Sequence, residues 1–87
     1  MHNSTINFIR SQSADADSRT GYKKSARAKK ISEGLLPPPV SLGGRASAFL
    51  AHELDAVAIA RARCATDDEV RALVTRLVEE RAKQQAV

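Results

Sequence analysis

Lys23, Lys24, Arg27, Lys29 and Lys30 stand within eight consecutive residues. Cations packed this densely do one kind of chemistry well: they neutralise the phosphates of a polyanion and release the counterions condensed around it. The chain has fourteen Lys and Arg, and seven of them lie between Arg19 and Arg45, against one acid, Glu33. The segments on either side each hold one more acid than base, so the net charge of +4 comes entirely from the middle third. Charge concentrated in this way marks a polyanion site rather than a merely solvated face.

Other chemistry is poorly supplied. His52 has Glu53 and Asp55 near it in sequence, but a helix would turn those side chains to different faces, so His52 is expected to be a partly exposed surface residue. Cys64 has no base beside it and is expected to be a small buried apolar group. A single cysteine makes no internal disulfide, and no Cys/His spacing fits a zinc site. The four glycines form neither a phosphate loop nor a dinucleotide fingerprint. With only Phe8, Tyr22 and Phe49 as aromatics, a substrate cavity would be hard to line. A partner-binding protein without catalysis, metal or cofactor is therefore expected. The first residues lack the apolar run of a signal peptide, and no stretch approaches the about 20 apolar residues of a membrane span. A bacterial cytoplasm, in association with the nucleoid, is the expected location, and Asn3-Ser4-Thr5 is read as an idle glycosylation match.

Something must present those cations. Eighty-seven residues make one small domain with a thin core. Residues 1–10 are read as a flexible arm in which Ile6, Phe8 and Ile9 either pair as a short strand or pack loosely. Residues 11–19 are polar apart from two alanines and form either a weak helix or none. Lys23 to Glu33 consists of good helix formers and ends at Gly34. Lys23, Arg27 and Lys30 fall on one stripe of that helix, with Lys24 beside it; such like charges repel until a polyanion joins them. Pro37-Pro38-Pro39 locks an extended segment, Val40-Ser41-Leu42 reads as a strand, and Gly43-Gly44 is a tight turn. Arg45 sits near the tip, and Ala46 to Phe49 returns as a second strand, so the pair forms a hairpin.

A further helix is expected from about Leu50 to Arg63, broken at Ala65-Thr66. Thr66 and Glu69 then make a capping box, and Val70, Leu73, Val74, Leu77 and Val78 follow at helical spacing until the helix frays after Glu80. This stripe either packs on its own domain, pairs with another copy, or divides itself between the two. The pattern as a whole predicts a mainly α fold with a small β-hairpin: an arm at 1–10, a domain at 11–63 and a C-terminal amphipathic helix at 64–87.

Thr20-Gly21, Ser25, Ile31-x-Glu33-Gly34, Leu35-x-Pro37-x-Pro39-Val40, Leu42-Gly43, Arg45-Ala46 and the Glu53-Leu54-Asp55-Ala56 series after Leu50 stand in a telling order. Together, over residues 18–63, they resemble the AlpA family of small phage- and island-encoded DNA-binding regulators, a group that includes excisionases, or recombination directionality factors. The resemblance implies a MerR-like winged helix-turn-helix; the C-terminal helix from Thr66 onward extends beyond the usual family length and is an addition to it. In it, residues 23–33 form the recognition helix in the major groove and 35–49 the wing, with Arg45 at the backbone or minor groove. Lys24, Ser25 and Lys29 match family positions that face DNA. Arg27 and Lys30 depart from the family, which usually has an apolar residue at the first position and often at the second, both tending to be buried, and the family's apolar first helix is replaced by Ser-Ala-Asp-Ala-Asp-Ser. Either that first helix is degenerate and both cations turn to phosphate, or their aliphatic stems cover the core while the charges reach outwards.

The expected ligand is double-stranded DNA, bound through Lys23, Lys24, Ser25, Arg27, Lys29, Lys30 and Arg45. Other copies of the chain would sit on adjacent sites through Val70, Leu73, Val74, Leu77 and Val78, and a site-specific integrase is an implied partner. On this reading the protein bends DNA at attachment sites to favour excision. The alternatives are a transcription regulator of integrase or excision genes, a small basic RNA-binding protein and a protein–protein module built on the 70–78 stripe.

Overall fold

A computed structural model describes residues 7–85, with side chains through Lys83. His2, Asn3-Ser4-Thr5 and Ile6 lie outside the described residues. The elements run β1 (Phe8–Arg10), α1 (Ala14–Thr20), α2 (Lys24–Ser32), β2 (Val40–Gly43), β3 (Ala46–Leu50), α3 (Ala51–Ala62) and α4 (Asp67–Gln85). The fold thus combines four helices with a three-stranded antiparallel sheet of order β1-β3-β2.

The end of the expected arm is a strand. β1 pairs with β3 through Phe8–Leu50, Ile9–Phe49 and Arg10–Ala48, and Ile9 enters the core beside Phe49. The hairpin forms as anticipated. Gly43 and Gly44, at φ +100° and +56°, occupy left-handed conformations that a residue with a Cβ adopts only at a cost, and a register shift falls between Ser41 and Gly43.

α1 exists despite its polar sequence, because its ends are well furnished. The Ala16 N–H donates to Ser13 Oγ at 3.1 Å, Asp15 and Asp17 lie at the positive end, and Arg19 lies at the negative end. Ala16, its one buried residue, allows close packing onto the core. Gly21 at φ +79° then reverses the chain, and the turn is held by Thr20 Oγ1, which donates to the Ala16 carbonyl (2.7 Å) and accepts from the Tyr22 N–H (3.1 Å). Three residues separate α1 from α2.

α2 closes with two bonds that satisfy its last carbonyls: Gly34 N–H to Ile31 O and Leu35 N–H to Lys30 O. Gly34 takes the left-handed position at φ +78°. Leu35 and Leu36 then drop into the core with Leu54, Val57, Val70 and Val74.

α3 ends at Ala62, and Cys64 occupies the left-handed position beyond it at φ +63°. Cys64 is exposed rather than buried, because a residue that caps a helix end points its side chain to solvent. The capping box of α4 is present: Thr66 N–H donates to Glu69 Oε1 at 2.8 Å and Glu69 N–H to Thr66 Oγ1 at 3.1 Å. The helix does not fray after Glu80 but continues to Gln85. Arg81, beyond the expected end, is held by Glu53 and by the Pro38 carbonyl.

Candidate nucleic-acid interface

α2 divides its surface sharply. At about 100° per residue, Lys24, Ala28, Ser32, Ser25 and Lys29 follow one another around a single arc, and all five are exposed. The middle of that arc is small (Ala28, Ser32, Ser25), and a lysine stands at each edge. α2 contains no acidic residue, and its first turn has no side-chain cap. Lys24 and Lys29 make no ion pair among the described residues, while Lys23 is 90% exposed and only approaches Asp17, at 4.0 Å. Arg45 is exposed on the hairpin turn, also without an acidic partner among the described residues.

Two of the expected DNA-facing residues sit differently. Arg27 is 3% exposed, so neither of the anticipated outcomes describes it: its guanidinium points inwards, not to phosphate and not outwards past the core. Nη1 donates to Asp17 Oδ1 and to the Tyr22 carbonyl (2.7 Å), and Nη2 donates to the Ser11 carbonyl (2.8 Å). One side chain of α2 thereby fastens the β1–α1 loop, α1 and the α1–α2 turn. A buried guanidinium is tolerable only when paired and hydrogen-bonded in this way. Arg27 is accordingly a positioning residue for α2. Lys30 is half-buried, with Nζ 5.5 Å from the centroid of the Tyr22 ring, a cation–π arrangement on the side away from the Lys24–Lys29 arc.

The C-terminal stripe turns mainly inwards. Val70 and Val74 are core residues and Leu73 and Leu77 pack against that core, which leaves Val78, at 36% exposure, as the open member. Of the routes left open for the stripe, packing on its own domain accounts for four of its five residues. α4 also braces α2 and the segment before the hairpin through residues that the sequence pattern did not single out. Arg71 Nε donates to the Glu33 carbonyl at 2.8 Å, placing a cation at the negative end of α2, and its stem lies against Gly34. Neither Arg71 nor Arg81 announces this role in sequence, because each partner is about thirty to forty residues away.

A separate cleft of about 370 Å³ lies between the α1–α2 turn and α3, lined by Leu36, Leu54, Val57, Tyr22, Arg19 and Arg61 among others. No carboxylate, thiol or imidazole lines it, and both arginines are engaged with acids outside it, Arg19 with Asp55 and Asp15 and Arg61 with Asp67. His52 is exposed on α3. Among the described residues no cluster of His, Cys, Asp and Glu could hold a metal ion, and no helix is long and apolar enough to cross a membrane. Compared with known proteins, the chain matches no family model, no curated protein and no solved structure.

Proposed function

We propose that the chain binds double-stranded DNA without catalysis, as a winged helix-turn-helix in which α2 enters the major groove and the β2–β3 turn is the wing. The exposed arc of α2 carries the reading. A helix with its side chains is about 10–12 Å across and the major groove about 12 Å wide, so a helix enters deeply only where its leading face is small. Ala28, Ser32 and Ser25 form such a face, and Lys24 and Lys29 flank it at phosphate height. Ser25 is the side chain best placed for a base edge, and Arg45 meets the adjacent backbone. The RNA alternative is less well supported, because single-strand readers stack bases on exposed aromatics. Tyr22 is half-buried against the core and its ring lies beneath Lys30.

The AlpA-like order of residues supports the finer reading of an excisionase. Copies on adjacent sites would bend DNA and favour integrase-mediated excision. Since most of the α4 stripe is internal, contact between copies falls to its one open member, Val78, and to other surfaces.

Titration of labelled duplex across a salt series tests the DNA reading. Affinity falls with a log–log slope of about −0.9 per neutralised phosphate, and Lys24→Ala and Lys29→Ala each reduce that slope by about one. Affinity indifferent to salt, or full displacement by structured RNA at equal concentration, sinks it. Excision assayed in cells whose integrase runs from a fixed promoter separates an excisionase from a regulator of integrase genes.

A further inference from the structure

Arg10 lies outside the basic block, in residues that read as an arm, yet the fold carries it to the wing. Arg10 pairs with Ala48 on the central strand. The chain stays alongside β3 for one residue more. The Ser11 N–H donates to the Ser47 carbonyl at 3.1 Å, and the two hydroxyls of Ser11 and Ser47 share a hydrogen bond of 2.6 Å. The segment after β1 is therefore pinned beside the residues that leave the Gly43-Gly44 turn. As a result Arg10, Ser11, Gln12, Arg45 and Ser47 line one cleft of about 290 Å³. No acidic residue lines it, and neither guanidinium has an ion-pair partner among the described residues.

Gln12 also lines a second cleft, with Lys23, Lys24 and Ser25 at the start of α2. The one acid there, Asp17, is already engaged by Arg27 and approached by Lys23. The two clefts meet at Gln12 and make one cationic run from the hairpin turn to α2.

Two unpaired arginines in one cleft repel each other and add nothing to the fold by themselves. Charge on an edge strand such as β1 can serve simply to discourage strand pairing between molecules. That role would not need both cations in the same cleft or a cluster of hydroxyl and amide groups between them. A phosphate oxygen pair matches what this cleft offers: guanidinium forks give bidentate, charge-assisted hydrogen bonds, and Ser and Gln side chains add neutral donors.

We propose that Arg10 and Arg45 jointly grip one backbone phosphate of duplex DNA, with Gln12 donating to the backbone between that phosphate and the one met by Lys24. The proposal rests on the DNA-binding reading above. It adds a contact from outside the basic block and makes β1 part of the interface.

A double-mutant cycle on the full chain tests it, with labelled duplex titrated across a salt series by fluorescence anisotropy. Arg10→Gln and Arg45→Gln each weaken binding about tenfold near 0.1 M salt. The double variant weakens it by much less than the product, because either change already spoils the shared site. The double variant also lowers the salt slope by about one. Arg10→Lys, which keeps the charge without the fork, restores the slope and part of the affinity; it carries the measurement should Arg10→Gln prove poorly folded by circular dichroism. Wild-type affinity and slope in Arg10→Gln overturn the proposal while leaving the DNA reading intact. Fully additive losses overturn the shared phosphate. A wild-type chain that does not bind duplex overturns both.

Discussion

Glu53 and Arg81 form a two-pronged ion pair, 2.6 and 2.8 Å, across 28 residues of sequence. Glu53 is 1% exposed, and the same guanidinium reaches the Pro38 carbonyl at 2.7 Å. One side chain late in α4 thus holds α3 and the proline run that leads into the hairpin. It is a direct tie between the segment entering the hairpin and the helices.

Arg81→Ala strands a carboxylate in the core. Loss of one partner of a buried pair costs about 3–5 kcal/mol, a large share of the stability of a domain this small. Urea denaturation followed by circular dichroism measures it. Arg81→Lys recovers only part, since an ammonium lacks the planar fork that serves Glu53 and Pro38 together. A loss under about 1 kcal/mol, the scale of an exposed pair, would show that Glu53 finds another partner.

Truncation before Thr66 unfolds the chain instead of yielding a trimmed DNA-binding unit. It removes Val70 and Val74 from the core, together with Arg71 and Arg81. Dispersed amide resonances from residues 1–65 alone would contradict this. Cooperativity between copies is better probed by Val78→Lys, because an exposed substitution leaves stability within about 0.5 kcal/mol.

Arg27→Ala destabilises the fold by about 3 kcal/mol, the low end for a buried pair because the Asp17 side chain is 35% exposed. Measured where the variant is still folded, its salt slope for DNA stays at the wild-type value, unlike that of Lys24→Ala. A slope reduced by one in Arg27→Ala would return this residue to the phosphate-contacting set.

Cys64→Gly stabilises the protein. Cys64 holds φ +63° at the end of α3, where Ala65 N–H bonds Ala60 O and Cys64 N–H bonds Arg61 O. A residue with a Cβ gives up about 1–2 kcal/mol in this conformation, offset in part by the greater freedom of glycine in the unfolded chain. The expected net gain of about 0.5–1 kcal/mol raises the thermal midpoint by a few degrees. An unchanged or lowered midpoint refutes it.

Asp67 contributes a small acid-sensitive component. The hydrogen bond from Arg61, at 3.0 Å, holds its carboxyl below the ordinary aspartate value. A depressed carboxylate stabilises the fold above its unfolded pKa, and that contribution is lost as pH falls through the folded one. The loss therefore belongs to the acid limb, below the ordinary aspartate range. Asp67→Asn removes it, so the stability difference from wild type shrinks as pH is lowered through that limb. A difference that is constant with pH would show that the ionised Asp67–Arg61 pair contributes nothing to stability.

Local rules made much of this fold legible in the chain itself. The capping box at Thr66, the glycine stop at Gly34 and the Gly43-Gly44 turn are short-range devices, and each forms where its residues stand. The localisation of charge is likewise a property of sequence. The inward turn of Arg27, the docking of Phe8–Arg10 as a strand, the extension of α4 to Gln85 and the meeting of Arg10 with Arg45 were decided only in three dimensions. The reason is common to all four. Each depends on partners ten to forty residues away, whose proximity is created by burial of the core and cannot be read from spacing along the chain.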